Sequence, residues 1–435
     1  MLSLFATGAV RAETAYQWPD APPAVLREEL FGIRFRLVLG DKGPAKAAQF
    51  LRDEMRKRPD APEVRAYVAW VSLFPKGWGL GEIVPNETCE SLLRMAARDG
   101  SLVAKDVLGY ALVHGQLGLG EDRAEGLRLL REAAGAGFAR SIGRLGHMKV
   151  QGWGVPANPV EGVFDLQRAV ALGSTMDLAD VAEAFERQVS PIGIKHWGPG
   201  RALEYYYLLA LENDGLGWKK LAEFEQKGVP DAKLMRSLAY VRFANEGGFI
   251  VPSVVRQHLA VLESAGQNDG RACVELGVAK LFGVDWIKRD PAGAKEYFTR
   301  ALRQGNQEAK FFLAYMRLRG LAGPQEKDAA LAEMTAMADA GNVRACSRLG
   351  FFYYWGTSEA GKLKEDPAKA FHYTRKAAEL GSKLAIMNLA HCYKHGIGTK
   401  ENPVLAAKLY WRATDYGYYG AKEDLVRQLA FAKVP

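Results

Sequence analysis

Residues 385–421 read AIMNLAHCYKHGIGTKENPVLAAKLYWRATDYGYYGA, and the order of signals in this stretch decides the fold. Ala385, Leu389 and Tyr393 stand four apart and so share one helical face. Gly396 and Gly398 break that helix, because glycine accepts the backbone angles of a tight exit. Asn402 can cap a second helix, and Pro403 fits its first turn, where a missing N–H costs nothing. Ala406, Tyr410 and Ala413 give the second helix a packing face, and Gly417 stops it. A hairpin of this size cannot bury its apolar face alone and needs copies of itself.

The copies are present. Comparable first-helix starts fall at Ala66, Ala104, Ser141, Ala272, Ala309, Ala345, Ala385 and Ala421, with steps of 37, 36, 40 and 36 residues from Ala272 onward. The step of 40 reflects a longer loop, TSEAGKLKED, ahead of Pro367. Second helices open with the same pair four times: Asn158-Pro159, Asp290-Pro291, Asp366-Pro367 and Asn402-Pro403. They close on Gly100, Gly137, Gly173, Gly266, Gly305, Gly341, Gly381 and Gly417. Start and stop signals recurring in phase define an all-α solenoid of stacked helical hairpins, expected as a right-handed superhelix of about nine units.

The pattern resembles the Sel-one-like repeat, a relative of the tetratricopeptide repeat. The residues that carry the resemblance are Leu389, Ala390, Tyr393, Gly396, Gly398, Ala406, Tyr410, Ala413 and Gly417. An earlier copy offers Leu108, Gly109, Leu112, Gly115, Leu127, Ala133 and Gly137, and a third Leu145, Gly146, Gly152, Asn158, Pro159 and Gly173. The resemblance implies a binding scaffold without catalysis and a protein or peptide partner. It covers residues 62–175 and 269–421.

The whole chain then divides as follows. Residues 1–12, MLSLFATGAVRA, look like the end of a secretory leader, with Val10 and Ala12 at small-residue cleavage positions. No Lys or Arg precedes the apolar run, so the positive n-region is missing. Either the true start lies upstream or this is an ordinary apolar N-terminus of a cytoplasmic protein. Export is the preferred reading on the apolar run and cleavage-site pattern. Residues 13–60 form a helical cap, with helices expected at Pro23–Leu39 and Pro44–Arg58, and 61–175 hold repeats. Residues 176–268 depart from the pattern, with five helix-like pieces at 177–188, 200–213, 217–227, 231–246 and 252–265. Repeats resume over 269–421, and 422–435 supply a helix that closes the other end.

Composition sets limits. The chain has 435 residues, 25% of them charged and 48% hydrophobic, an ordinary globular balance. No later run approaches the roughly 20 apolar residues that span a bilayer. The net charge of +8 is scattered without a Lys/Arg block. It therefore reads as solvated helix faces, with an acidic partner as the lesser reading and no nucleic-acid partner. Cys89, Cys273, Cys346 and Cys392 lie far apart, and equivalent points two repeats apart stand roughly 20 Å from each other at ~8–10 Å per helix layer. No disulfide is expected at such distances. G-x-S-x-G, S-x-x-K, H-E-x-x-H and P-loop motifs are absent, and no cofactor is implied. His391 and His395 have the i, i+4 spacing of a chelating pair, but no third ligand is fixed, so ordinary helix residues are the better reading.

Function is sought where the repeats differ. Counted from each starting alanine, offsets 0, 4, 5 and 8 carry the motif residues and face partner helices, whereas offsets 6 and 10 point away. The last four repeats place there Val278 and Phe282, Tyr315 and Arg319, Phe351 and Trp355, then His391 and His395. First helices of such stacks usually line the concave surface, so this row is expected to floor a partner-binding groove. Mutual packing under tight curvature is the equal alternative. Trp78, Trp153 and Trp197 lie in turns and could stack on the sugar rings of peptidoglycan or another glycan. Packing of each loop on its neighbour is the commoner use of such tryptophans.

Overall fold

The computed structural model describes residues 23–80, 83–116, 120–172, 176–186, 199–211, 214–245, 250–283, 287–356, 363–415 and 419–431. Among them are twenty-two α-helices and no β-strand. In chain order they are α1 (Pro23–Lys57), α2 (Pro62–Leu73), the single turn α3 (Pro75–Trp78), α4 (Asn86–Arg98), α5 (Leu102–His114), α6 (Arg123–Gly135), α7 (Ala139–Gln151) and α8 (Pro159–Ala171). The five expected helices of the irregular middle are α9 (Met176–Glu186), α10 (Pro199–Leu211), α11 (Gly215–Gln226), α12 (Ala232–Asn245) and α13 (Pro252–Ala265). Then come α14 (Gly270–Phe282), α15 (Pro291–Arg303), α16 (Glu308–Arg319), α17 (Lys327–Asp339), α18 (Val343–Trp355), α19 (Pro367–Glu379), α20 (Lys383–His395), α21 (Pro403–Asp415) and α22 (Tyr419–Phe431). The leader-like residues 1–12, the lead-in to 22, Gly173, Trp197 and Gly417 lie outside the described residues.

One loop design joins the hairpins. The N–H of the residue capping each second helix donates to a carbonyl eight residues past the first-helix start. The pairs are Asp122–Leu112, Asn158–Lys149, Asp290–Lys280, Glu326–Arg317, Asp366–Tyr353 and Asn402–Tyr393, all at 2.8–3.0 Å. Each bond satisfies a carbonyl that the end of a helix would otherwise leave open. In five of these hairpins the cap's side chain also accepts from the backbone three residues on: Asp122 from Glu125 at 3.0 Å, Asn158 from Glu161 at 3.2 Å, Asp290 from Gly293 at 2.9 Å, Asp366 from Lys369 at 3.0 Å and Asn402 from Leu405 at 3.0 Å. Glu326 makes no such bond. Second helices exit through left-handed glycines at 100, 137, 305, 341 and 381. Gly266 differs, with φ at −61°, and its carbonyl accepts instead from the Cys273 thiol at 3.0 Å.

The packing within hairpins is close enough to exclude side chains. A Cβ on Gly162 would lie 2.6 Å from the Gly146 carbonyl oxygen, and one on Gly146 would lie 2.8 Å from that of Gly162. Gly109 and Gly126 repeat the arrangement between α5 and α6. The four cysteines are buried thiols. Burial pushes those of Cys346 and Cys392 up to about 11.

The chain forms two compact units. Among the described residues, one holds those within 178–389 and 397–399, and the other those within 23–177, 390–396 and 400–431. In the second unit α1 is broken at Gly43 (φ 79°), where Pro44 opens a new segment. The core here joins Phe31, Phe35, Leu51, Tyr67, Leu93 and Leu108. The terminal helices do not close opposite ends, as the sequence suggests. They pack on each other: Lys408 Nζ is 2.7 Å from Glu29 Oε2, Arg36 lies over Trp411 at 5.4 Å, and Lys422 bonds Asp41. An apolar face that lacks a neighbouring repeat needs cover, and here the two terminal segments supply it for each other.

Candidate functional site

Phe282, Arg319, Trp355 and His395, at offset 10, are each the last residue of a first helix, and all four are exposed. Phe282 is 51% and Trp355 63% open to solvent, unusual for rings of this size. Offset 6 behaves differently. Phe351 is 44% exposed and His391 half-buried, but Val278 and Tyr315 are only 7% exposed. The expectation that Val278 and Tyr315 face solvent is therefore corrected. At Tyr315 the Phe282 ring and the Arg348 guanidinium of the adjacent repeats supply the cover, whereas offset 10 sits at the helix end. Within the unit of residues 178–389, Phe282, Arg319 and Trp355 thus form an exposed rim at the helix ends.

In the unit of residues 178–389, Tyr315 is the hub of this rim. The Phe282 ring centroid lies 6.3 Å from it, and the guanidinium groups of Arg319 and Arg348 lie 6.0 and 4.9 Å from it. Arg348, Phe351 and Trp355 follow one another at helical spacing on α18 and so make one stripe. Beneath the rim runs a charged ladder across four first helices. Arg242 of α12 meets Glu275 of α14 at 3.6 Å and Glu308 of α16 at 3.7 Å, and Arg344 of α18 also pairs with Glu308. Asn245 donates to Glu275 at 3.1 Å. Burial holds the Glu275 carboxyl above the ordinary carboxylate range, with Arg242 opposing that shift.

His391 and His395 belong to the other unit. Their rings stack at 6.1 Å. His391 sets its face against Tyr410 at 5.5 Å and its Nε2 3.8 Å from Asp424, whose other oxygen holds Lys394 at 2.7 Å. Burial lowers the His391 pKa. Among the described residues no three His, Cys, Asp or Glu side chains converge as metal ligands. Trp78 is half-buried and makes T-shaped contacts with Trp70 at 5.1 Å and Phe35 at 5.3 Å at the margin of the core. Trp153 is half exposed beside His147.

Sequence reasoning missed a second charged centre in this unit. Asp106 is fully buried and accepts from the Ser141 hydroxyl at 2.9 Å, with Arg140 Nε 3.1 Å and Arg144 Nε 3.5 Å away. Arg140 lies over Trp70 at 4.2 Å and Arg144 over Tyr110 at 4.1 Å. Burial pushes Arg144 down to about 10, against the pull of Asp106. The signal was available: Arg140 and Arg144 stand one residue before and three after a repeat start, as Arg344 and Arg348 do.

A regular stack of capped helical hairpins with an exposed aromatic and basic rim defines a repeat scaffold. The chain belongs to the Sel1 repeat family, whose model matches residues 104–138, 139–174, 270–306, 307–334, 343–382 and 383–418. Sel1 repeats are a scaffold fold that commonly mediates protein–protein interaction. The chain is similar to protein sel-1 homolog 2 of Rattus norvegicus, 32% identical over 123 residues, which is 28% of this chain and 17% of that relative. The Mus musculus protein of the same name is 28% identical over 149 residues, 34% of this chain and 21% of that relative. The match thus spans about a fifth of these relatives' length. Among solved structures, a Sel1 repeat protein from Oxalobacter formigenes is 20% identical, with a TM-score of 0.33, over 87% of this chain and 89% of that one. The protective antigen c5321 of uropathogenic Escherichia coli is 21% identical, with a TM-score of 0.34, over 93% and 79%. No helix among the described residues is long and apolar enough to cross a membrane.

Proposed function

We propose that this chain is a non-catalytic scaffold that binds a protein or peptide along the first helices of residues 178–389. The observation that carries the reading is the rim of Phe282, Arg319 and Trp355, joined by Phe351. Large rings left open beside an arginine have the composition of interface anchors, and each such anchor is commonly worth about 2 kcal/mol or more. A stack of repeats offers them on a preformed surface, so little ordering opposes binding. The glycan reading has less support, because Trp78 is half-buried against Trp70 and Phe35.

The test is affinity capture with the full chain and with Phe351→Ala/Trp355→Ala. Both positions are exposed, so the double variant is expected to keep its thermal midpoint while losing at least about tenfold in affinity for a partner the parent captures. Unchanged affinity for every captured partner would sink the reading.

A further inference from the structure

Arg144 and Arg348 occupy the same place in their repeats, three residues past Ser141 and Ala345. Each lies over the offset-6 tyrosine of the preceding repeat, at 4.1 Å from Tyr110 and 4.9 Å from Tyr315. Each has an arginine four residues earlier, Arg140 or Arg344. The two sites differ at offset 2 of the preceding repeat. Asp106 stands there ahead of Arg144, and its side chain and backbone carbonyl both meet that guanidinium, at 3.5 and 3.1 Å. Phe311 holds the same place ahead of Arg348. Glu308, the one acid on α16, is taken by Arg242 and Arg344, and α18 carries no acid. Among the described residues, the contacts of Arg348 are the rings of Tyr315 and Phe352.

A guanidinium stays charged and offers five donors in a planar fork that fits a carboxylate. Stacked on rings and half-buried, Arg348 is oriented for such a partner, and its own chain places a phenylalanine where the homologous site has the acid. Phe351 and Trp355 extend the same stripe, with about 10 Å from Arg348 to Trp355 along the helix. That distance matches about three residues of extended peptide.

We propose that Arg348, Phe351 and Trp355 receive an acidic segment of a protein partner. One Asp or Glu carboxylate takes the guanidinium, and a bulky apolar side chain two to four residues away lies against the two exposed rings. The proposal rests on the reading of this face as the binding surface and adds the partner's chemistry.

The test selects binders from a display library of randomised twelve-residue peptides on the full chain. The enriched sequences should carry Asp or Glu two to four positions from Phe, Trp, Leu or Met. The leading sequence is then made as an amidated peptide, which removes the chain-end carboxylate, and titrated by fluorescence anisotropy. Arg348→Gln should weaken it about tenfold, changing the peptide's acid to its amide should do the same, and the two together should do little more. Arg375→Gln, on α19 and paired with Glu379, should bind as the parent does. Enriched sequences without an acid, or affinity unmoved by Arg348→Gln, overturn the proposal. If Trp355→Ala still abolishes that binding, the surface stands and only the partner chemistry falls. If nothing is enriched, or Trp355→Ala is also silent, both fall.

Discussion

Glu28 shows how a single carboxylate can make stability depend on pH. It is buried, and it accepts from the Ser101 hydroxyl and from the backbone N–H groups of Leu102 at 2.8 Å and Val103 at 3.3 Å, at the start of α5. Donors at a helix N-terminus favour the anion, but burial outweighs them and pushes the carboxyl up to about 7. The folded chain therefore holds a proton that the unfolded chain releases near the ordinary carboxylate pKa of ~4.3. The associated stability is full below that value and is lost as pH rises through about 7, by at most about 4 kcal/mol. Glu28→Gln should flatten this part of the profile, so urea midpoints measured at pH 5 and pH 8 should differ less in the variant than in the parent. Equal differences in the two proteins would remove Glu28 as the cause. Nothing in the sequence pointed to Glu28, because its partners lie more than seventy positions away.

Hairpins were the legible level. A helix start is written locally, and the caps at Asn158, Asp290, Asp366 and Asn402 stand where the Asn-Pro and Asp-Pro pairs place them. The cap at Asp122 went unseen, since Arg123 follows it instead of proline. The exposed face was only half legible. A step of 100° per residue puts offsets 6 and 10 on the same side, and only neighbouring repeats decide that Tyr315 is covered while Trp355 is open. Two ways of weakening a hairpin should differ accordingly. Asp122→Ala removes one side-chain acceptor and should cost about 1 kcal/mol. Gly162→Ala forces a Cβ against backbone, with the Gly146 oxygen at 2.6 Å and the Val150 nitrogen at 2.8 Å, and should cost about 2–3 kcal/mol. Urea denaturation followed by far-UV circular dichroism ranks them. A Gly162→Ala as mild as the cap variant would mean that the two helices can part without loss.

Over the whole molecule, the linear sequence presents its net charge of +8 as scattered, and stacking gives part of it an address. Helices α12, α14, α16 and α18 carry ten Lys or Arg against two Glu, whereas α13, α15, α17 and α19 carry eight against six Asp or Glu. Both acids of the first group sit in the ladder of Arg242, Glu275, Glu308 and Arg344, so four successive first helices share one charge network. A repeat stack holds together through neighbour contacts, and a bond that skips from α12 to α16 adds coupling beyond the nearest neighbour. The sequence could not reveal this, because the ladder depends on the register between the last part of the irregular middle, which carries Arg242, and the repeats that follow it. Burying both ions is costly, so the pair adds little net stability over an apolar pair, while removing one ion strands the other. Arg242→Met should therefore lower stability by about 3–5 kcal/mol, because it leaves Glu275, 3% exposed, without its principal cation. Glu275→Leu in the same chain should recover most of that loss, since the stranded carboxylate is gone. Urea midpoints of the parent, the single variant and the double variant decide it. A double variant no better than Arg242→Met would place the cost in the lost packing of the arginine stem, and the ladder would then be a consequence of the stack and not one of its supports.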